Sequence, residues 1–409
     1  MPVTPDLDAP DLDDADLYDP GSYEAAPPHE AFEALRRSDP VHWQDMPDGT
    51  GYWAVLRHAD VIEVARSPLV FSAARGGVML EDLEPESLAM MQDMLLAMDP
   101  PRHAHHRTAL ADHFRARVIG RLEDSIRGIC RDILATTGHG RLEAVHEVCA
   151  KVPSQVIGEL VGIDPEDRMR IHEWGERIAG GQDPDVVADA AEDSLTASID
   201  MAMFAIALAG QRIDEPRDDL VTLLLQTDFD GEPMSDVAFG SFFVQLVVAG
   251  NDTSRTLLSS AILALLEHPE QLAELRADPS LLPGAVEEVL RWSNPLHYFR
   301  RTATEDVVLG GTPIAAGDKV AMIYTSANRD DAVFADPHTF DIHRSPNPHL
   351  SFGIGEHFCL GVHLARLEAR VFLEEMLAAW GSIELAGTPL RQRSNLNNTL
   401  KSLPVEVAP

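Results

Sequence analysis

A long, uninterrupted helical pattern near the middle of the chain constrains the fold most. Apolar residues recur at helical spacing from Asp236 to His268, which predicts a helix of about 33 residues, or about 50 Å at 1.5 Å per residue. Ser235 can cap its amino end and Pro269 can end it. The rest of the chain has to pack around this helix.

The centre of this helix is unusually polar. Ala249-Gly250-Asn251-Asp252-Thr253 is a run of poor helix formers between two apolar segments. Thr253 shares an apolar stripe with Leu246, Ala249 and Leu257, so its hydroxyl is predicted to face the interior. Taken alone, the simpler interpretation is a threonine that bonds back to a carbonyl and bends the helix.

The remaining pattern predicts one mainly α domain with small sheets over residues 29–409, preceded by an acidic, irregular arm over residues 1–28. A final helix is expected at Leu360–Trp380, with Gly381 as a stop signal. Short strands are predicted at Val41–Trp43, Tyr52–Leu56, Val307–Leu309, Pro313–Ile314, Lys319–Ile323, Ile383–Leu385 and Leu403–Val407.

Charge and cysteine content limit the function. The net charge is −35, with 67 acidic and 32 basic residues, which argues against nucleic acid as a partner. Three cysteines favour a reducing compartment over a disulfide framework. Uncharged stretches such as Met201–Gln211 are too short to cross a bilayer, and the amino end does not read as a signal peptide. A cytoplasmic monomer without a membrane span is expected.

The strongest chemical signal is the cysteine loop Ser-Phe-Gly-Ile-Gly-Glu-His-Phe-Cys-Leu-Gly, residues 351–361. Cys359 follows a glycine-rich turn and precedes an amphipathic helix, where helix N–H groups favour a thiolate. A structural cysteine is the plain alternative. Dinucleotide binding fails because Phe358 stands where the third glycine would be and no strand precedes the loop.

Phe352-x-x-Gly355-x-x-x-Cys359-x-Gly361 matches the haem-binding signature of the cytochrome P450 family without gaps, and the resemblance runs from about residue 30 to the end. It implies the family's mainly α fold, with haem b between the central helix and the helix after the cysteine. Cys359 would be the iron ligand, in a loop with Phe352 and Gly355. Cys130 and Cys149 are interpreted as core residues.

The resemblance also assigns a role to the centre of the long helix. Asp252 and Thr253 resemble the family's acid–alcohol pair, which helps deliver protons during oxygen activation. The implied reaction inserts one atom of O₂ into a C–H bond with two external electrons, and the thiolate favours O–O cleavage. NAD(P)H would supply the electrons through a ferredoxin or flavodoxin and its reductase, because no flavin or nicotinamide segment is visible.

Two further groups follow from the resemblance. Glu288-x-x-Arg291 and the later Arg344 match the family's ion-pair brace, which has a folding role. Haem propionates need cationic donors. The matching positions are His103, Arg107, Arg301 and His357. A metal site at His103, His105 and His106 is a weaker alternative, since no carboxylate or cysteine partners accompany them.

Substrate and partner are less constrained. Val248, Ala249, Leu296 and Thr399 are candidate lining residues for an apolar guest. Ala249–Arg255 and Tyr298–Thr304 resemble members that hydroxylate steroids, terpenoids or methyl-branched lipids, with alkanes or fatty acids as the alternative.

The basic residues Arg115, Arg117 and Arg121 form either a docking face for an acidic redox partner or a solvated helix face. Two rival functions remain. The first is a non-enzymatic haem sensor or carrier, which would have no use for the acid and alcohol of Asp252 and Thr253. The second is a helical binding protein without haem.

Overall fold

The computed structural model describes residues 16–180, 183, 185, 190–227 and 234–409, which are mostly helical. Their α-helices, in chain order, are α1 (His29–Ser38), α2 (His58–Ala65), α3 (Pro85–Gln92), α4 (Arg102–Ala111), α5 (Ala116–Ile119), α6 (Glu123–Thr137), α7 (Lys151–Val161), α8 (Arg168–Ala179), α9 (Ala190–Asp214), α10 (Leu220–Gln226), α11 (Asp236–Glu267), α12 (Pro269–Ala277), α13 (Leu282–Ser293), α14 (Tyr324–Ala327) and α15 (Val362–Ala379).

Small sheets flank the helices. The largest has five strands in the order β1-β2-β8-β5-β3, with β2 parallel to β8 and the other pairs antiparallel. A three-stranded sheet has the order β4-β12-β9, and β6-β7 and β10-β11 are hairpins. The strands are β1 (Val41–Asp45), β2 (Gly51–Val55), β3 (Phe71–Ser72), β4 (Gly140–Glu143), β5 (Tyr298–Ala303), β6 (Val307–Leu309), β7 (Thr312–Ile314), β8 (Lys319–Ile323), β9 (Ser382–Leu385), β10 (Leu390–Arg391), β11 (Leu400–Ser402) and β12 (Pro404–Ala408).

The predicted central helix is α11. The Ser235 hydroxyl accepts the N–H of Ala238, and the helix ends at Glu267, just before Pro269. Its carboxyl half is buried on every side over residues 254–265, whereas residues 248–250 and 253 are partly or fully accessible. α11 packs on α7, α8, α9, α13 and α15. It therefore anchors the large helical core and still presents an accessible segment at its centre.

The short strands predicted from sequence all occur, within one or two residues of the expected ends. The strand β5 was missed, although it is the central partner of β8 and carries Arg301. Gly381 does follow the last helix, but not as a left-handed cap, since its φ is not positive. A Cβ at Gly381 would lie 2.2 Å from the carbonyl oxygen of Pro409, so close backbone approach explains the glycine.

Residues 1–15 of the predicted arm lie outside the described residues. Its described part packs against the sheet, because Leu17 and Tyr23 are buried in a cluster with Tyr52 and Ala321. Tyr23 belongs to a short 3₁₀ turn, and its hydroxyl donates to the carbonyl of Leu17 at 3.0 Å. The arm is therefore not irregular throughout, because apolar burial fixes residues 17–23.

One helix among the described residues, Asp193–Asp214, is long and apolar enough to cross a membrane by length and composition alone. It meets this criterion although its uncharged stretch, Met201–Gln211, is short, because a helix can carry a few charges and remain apolar on average. This segment belongs to α9, which packs on α8, α10 and α11.

Candidate active site

The cysteine loop is held by backbone geometry that its glycines allow. The N–H of Cys359 donates to the carbonyl of Phe352 at 2.8 Å, which closes the loop. Gly353 and Gly355 have φ of 65° and 76°, a region that residues with a Cβ rarely adopt. A Cβ at Gly355 would also lie 2.7 Å from the carbonyl oxygen of Ala65. Any side chain there would displace the loop or α2.

The environment of Cys359 works both for and against a thiolate. Burial raises the pKa of the Cys359 thiol, while a hydrogen bond from the backbone N–H of Gly361 and the charges of Arg107 and Arg366 lower it. The N–H contribution has the predicted direction, but burial is the larger effect, so the pKa of the thiol is raised overall. A coordinated metal ion deprotonates a thiol outright and would supply the missing driving force.

The other two cysteines differ sharply from Cys359. Cys130 and Cys149 are both fully buried in the helical core, as predicted. Burial raises the pKa of both thiols. Cys359 is partly accessible, so among the three it alone has access to a bound group.

The four predicted propionate donors come together. The imidazole centroids of His103 and His357 lie 4.2 Å apart, and Arg107 and Arg301 both lower the pKa of these histidines. Both ring nitrogens of His103 and the Nε2 of His357 are buried and have no hydrogen-bond partner within the part of the chain that the structure describes. Among the described residues, neither Arg107 nor Arg301 has a carboxylate within ion-pair distance; burial lowers the pKa of both guanidinium groups.

This donor set fits a dianionic ligand. Buried polar groups without partners are costly, and two carboxylates would satisfy the imidazole nitrogens and both arginines. The alternative metal site at three histidines finds no support, because the described residues contain no group of three His, Cys, Asp or Glu side chains that could hold a metal ion. Haem, with an iron for Cys359 and two propionates for this cluster, matches the residues present.

At the centre of α11, acid and alcohol have separate partners. The Thr253 hydroxyl donates to the carbonyl of Ala249 at 2.6 Å, which confirms the back-bonding interpretation. The residue is partly accessible rather than enclosed. Asp252 is buried, and its carboxylate accepts a hydrogen bond from Arg255, whose other terminal nitrogen binds Glu176 at 2.7 Å.

Arg255 and Glu176 were not identified from the sequence. Asp252-x-x-Arg255 is an i,i+3 ion-pair pattern that could have been noticed. Glu176 comes from α8, 79 residues away in the chain, and nothing in the sequence links it to the central helix.

Glu288, Arg291 and Arg344 form a buried ion-pair triad. Arg291 binds both carboxylate oxygens of Glu288, at 2.7 and 2.8 Å, and Arg344 approaches the same oxygens at 3.1 and 3.2 Å. The side chains of Glu288 and Arg291 are 0% exposed. Both arginines also donate to the carbonyl of Thr339. The triad thus ties α13 to the segment that leads into the cysteine loop.

The candidate lining residues divide into two groups. Val248, Ala249 and Leu296 are partly or fully accessible, as expected for residues that face a guest. Thr399 is 1% exposed, and its hydroxyl shares a 2.6 Å hydrogen bond with that of Thr256. Its side chain is thus buried and held by Thr256, and lining by Thr399 stays a prediction.

Known proteins resemble this chain over nearly its whole length. Residues 196–384 match the family model described as Cytochrome P450. A steroid C26-monooxygenase of Mycolicibacterium smegmatis is 38% identical, across 93% of this chain and 90% of that protein. A methyl-branched lipid omega-hydroxylase of Mycobacterium tuberculosis is also 38% identical, across 92% and 90%.

Solved structures of other proteins share this fold over most of the chain. A cytochrome P450 of Mycobacterium marinum, in complex with pseudoionone, has a TM-score of 0.88 and 36% identity, covering 92% of this chain and 94% of that one. A structure from Novosphingobium aromaticivorans has a TM-score of 0.86 and 33% identity, covering 96% and 97%. With a cysteine loop and a dianion cradle that fit haem, the chain belongs to the cytochrome P450 family and is a haem b monooxygenase that uses O₂ and electrons derived from NAD(P)H.

Proposed function

We propose that this monooxygenase hydroxylates a terminal methyl group on the branched chain of an apolar lipid, with steroids and methyl-branched lipids as the favoured substrates and terpenoids next. The observation that carries this proposal is the equal 38% identity to two relatives named for C26 of a steroid and for the omega end of a methyl-branched lipid. Both names place the oxygen at the end of a branched hydrocarbon chain.

The accessible centre of α11 supports an apolar guest. Val248 and Ala249 lie within the accessible segment, one turn before Thr253, and Leu296 is partly accessible beyond α13. These side chains carry no charge and no hydrogen-bond donor. Burial of a hydrocarbon chain beside them would therefore be favoured by the hydrophobic effect.

The geometry of the cysteine loop and of the buried cations supports the proposed roles. Cys359 would bind the iron of the haem, which would supply oxygen activation. His103, Arg107, Arg301 and His357 would bind the propionates, and Phe352 and Gly355 would shape the cysteine loop. Overall, RH + O₂ + 2e⁻ + 2H⁺ gives ROH + H₂O, so each turnover consumes two protons.

Asp252 and Thr253 handle these protons. The Thr253 hydroxyl already has an acceptor in Ala249, so its oxygen lone pairs remain free to accept a hydrogen bond while its proton is held in place. The triad of Glu288, Arg291 and Arg344 has a folding role. It keeps the cysteine loop in register with the core.

A ferredoxin is the proposed electron donor, with a flavodoxin as the alternative. The basic residues Arg117 and Arg121 are exposed, and α5, which carries Arg117, packs on α15, the helix after Cys359. An acidic partner docked there would lie on the cysteine side of the haem. Arg115 contributes less charge because it pairs with Asp112 at 2.7 Å. We propose a cytoplasmic monomer as the working form.

Spectral titration of the purified holoprotein tests the substrate class. We expect cholesterol and phytanic acid, which both end in branched methyl groups, to shift the haem from low to high spin. Palmitic acid, which lacks the branch, and androstenedione, which lacks the side chain, should not. Turnover under ¹⁸O₂ with product mass spectrometry should place the label at the terminal methyl. Hydroxylation of palmitic acid, without any effect of the branched lipids, would replace this proposal with a fatty-acid hydroxylase.

A further inference from the structure

Arg255 joins two carboxylates that come from different helices. One terminal nitrogen binds Asp252 on α11, and the other binds Glu176 on α8 at 2.7 Å. The Arg255 side chain is 8% exposed, whereas that of Glu176 is 30% exposed. The ion pair therefore leads from the buried acid beside Thr253 towards the protein surface.

Glu176 is also the meeting point of two histidines. The Nδ1 of His146 lies 3.8 Å from its Oε1, and the Nε2 of His172 lies 3.6 Å from the same oxygen. His172 is buried and binds through Nδ1 to the side-chain amide of Asn251 at 3.0 Å. His146 is 54% exposed. Titratable groups thus lead from solvent to Glu176, and Arg255 joins Glu176 to Asp252.

The outer histidine is oriented for this task. The Nε2 of His146 lies 3.1 Å from the carbonyl oxygen of Lys401, and a carbonyl can only accept, so this nitrogen carries a proton in the neutral ring. The nitrogen left to take up a proton from solvent is Nδ1, the atom that faces Glu176. Histidine is the side chain best suited to exchange protons near neutral pH.

We propose that protons for oxygen activation enter this protein at His146 and Glu176 and pass to Asp252, with Arg255 as a positioning residue. The proposal rests on the proposed function, because it supplies the two protons that each hydroxylation consumes. In the first step, the Nδ1–H bond of His146 breaks and an O–H bond forms on Glu176. In the second, the O–H bond on Glu176 breaks and an O–H bond forms on Asp252, whose carboxylate is held by the same guanidinium as that of Glu176.

Arg255 cannot itself relay a proton, because a guanidinium stays protonated in proteins. Its contribution is geometric, since it holds both carboxylates at adjacent nitrogens. The buried Asp252 depends on this contact for its orientation. Removing the acid at position 176 should therefore slow proton supply, whereas the amide of glutamine can still accept the hydrogen bond from Arg255.

Glu176→Gln tests the proposal in the holoprotein, with cholesterol as the probe, or phytanic acid if that is the lipid that shifts the spin state. We expect unchanged affinity in the spin-state titration, several-fold less product per NADH, a matching rise in hydrogen peroxide and a larger solvent deuterium isotope effect on product formation. Glu173→Gln, an exposed residue on the same helix, should match the unmutated protein. His146→Gln should change coupling in the same direction but less, because solvent also reaches Glu176.

A purely structural role for Glu176 would change substrate affinity and coupling together and leave the isotope effect alone, and that pattern would overturn the proposal. Unchanged coupling in Glu176→Gln would also overturn it. If the unmutated protein hydroxylates neither lipid, the proposed function fails first, so the two failures can be told apart.

Discussion

The imidazole rings of His103 and His357 lie with their centroids 4.2 Å apart and their planes tilted by 39°, and three of their four nitrogens have no hydrogen-bond partner among the described residues. Burial and the nearby arginines lower the pKa of His103 to about 4 and that of His357 to about 2. Both rings are therefore neutral at neutral pH, beside the uncompensated charges of Arg107 and Arg301. Propionate carboxylates would raise the pKa of both histidines and would pair with both arginines. Changes at this histidine pair should therefore affect haem binding directly.

His357→Phe should weaken haem retention. Phenylalanine keeps an aromatic ring in contact with His103 but removes the hydrogen bond to a propionate, which is worth about 1.5–3 kcal/mol when one partner is charged. We expect haem to transfer to apomyoglobin roughly tenfold faster or more. His343→Phe is the control, because His343 is exposed and pairs with Glu274. Equal transfer rates for the two variants would contradict the propionate role.

Cys359→Ser should abolish the thiolate spectrum. A serine hydroxyl is a far poorer iron ligand, so the reduced carbon monoxide complex should lose its strongly red-shifted Soret band or the protein should lose haem. Cys130→Ser changes a buried core cysteine instead, so it should cost some stability and leave the spectrum intact. A red-shifted band that survives in Cys359→Ser would mean that another residue binds the iron.

Thr253→Ala should uncouple electron use from hydroxylation. The substitution removes the hydroxyl that donates to Ala249 and leaves the lining residues in place, so substrate should still shift the spin state. We expect most NADH to yield hydrogen peroxide rather than product. Ser259→Ala is matched, since this buried hydroxyl also bonds back to a carbonyl four residues earlier, that of Arg255. Similar peroxide yields from both variants would show that only helix geometry is affected.

The features that were predictable from sequence are those in which local pattern and spacing are sufficient. The cysteine loop needs φ > 0 at two closely spaced glycines, and the capped central helix is set by Ser235 and by apolar periodicity. Contacts between distant segments were not predictable. Glu176 reaches Arg255 across 79 residues, and Thr399 reaches Thr256 across 143. No local signal marks either pair.

The overall rise in the pKa of the Cys359 thiol was not predictable for a related reason. The position of a thiol near a helix terminus is visible in the sequence, and it does lower the pKa through the N–H of Gly361. The extent of burial depends on how the whole chain packs, and it is the larger effect at this site. The direction of the pKa shift depends on the balance between burial and the N–H hydrogen bond, and local pattern alone does not give that balance.

Glu288→Gln should destabilise the protein severely. The change removes the charge that both Arg291 and Arg344 share, and unpaired charges in a fully buried site typically cost about 3–5 kcal/mol. We expect a large drop in the denaturant midpoint of the holoprotein. Glu274→Gln breaks an ion pair with His343 whose partners are both about half exposed, so it should change stability by less than about 1 kcal/mol. Comparable midpoints for the two variants would exclude the folding role of the triad.

Glu368 gives the protein a stability that falls with rising pH. This side chain on α15 is 2% exposed, no described residue forms a hydrogen bond with its Oε1, and burial raises its pKa to about 8. In the unfolded chain the same carboxyl titrates near about 4.3. Between those two values the folded protein holds a proton that the unfolded chain has lost, so stability decreases as pH rises through this window.

Glu368→Gln should therefore flatten the pH dependence. Glutamine is similar in shape and cannot ionise, so the folded state no longer has to keep a proton that the solvent would remove. We expect the variant to gain stability over the unmutated protein as pH rises from about 5 to about 8, measured as the denaturant midpoint at each pH. Glu384→Gln, on the exposed face of β9, should leave the slope unchanged. Parallel pH profiles for Glu368→Gln and the unmutated protein would contradict this prediction. They would mean that the ionised carboxylate of Glu368 is solvated or paired in the folded protein, so that burial does not raise its pKa.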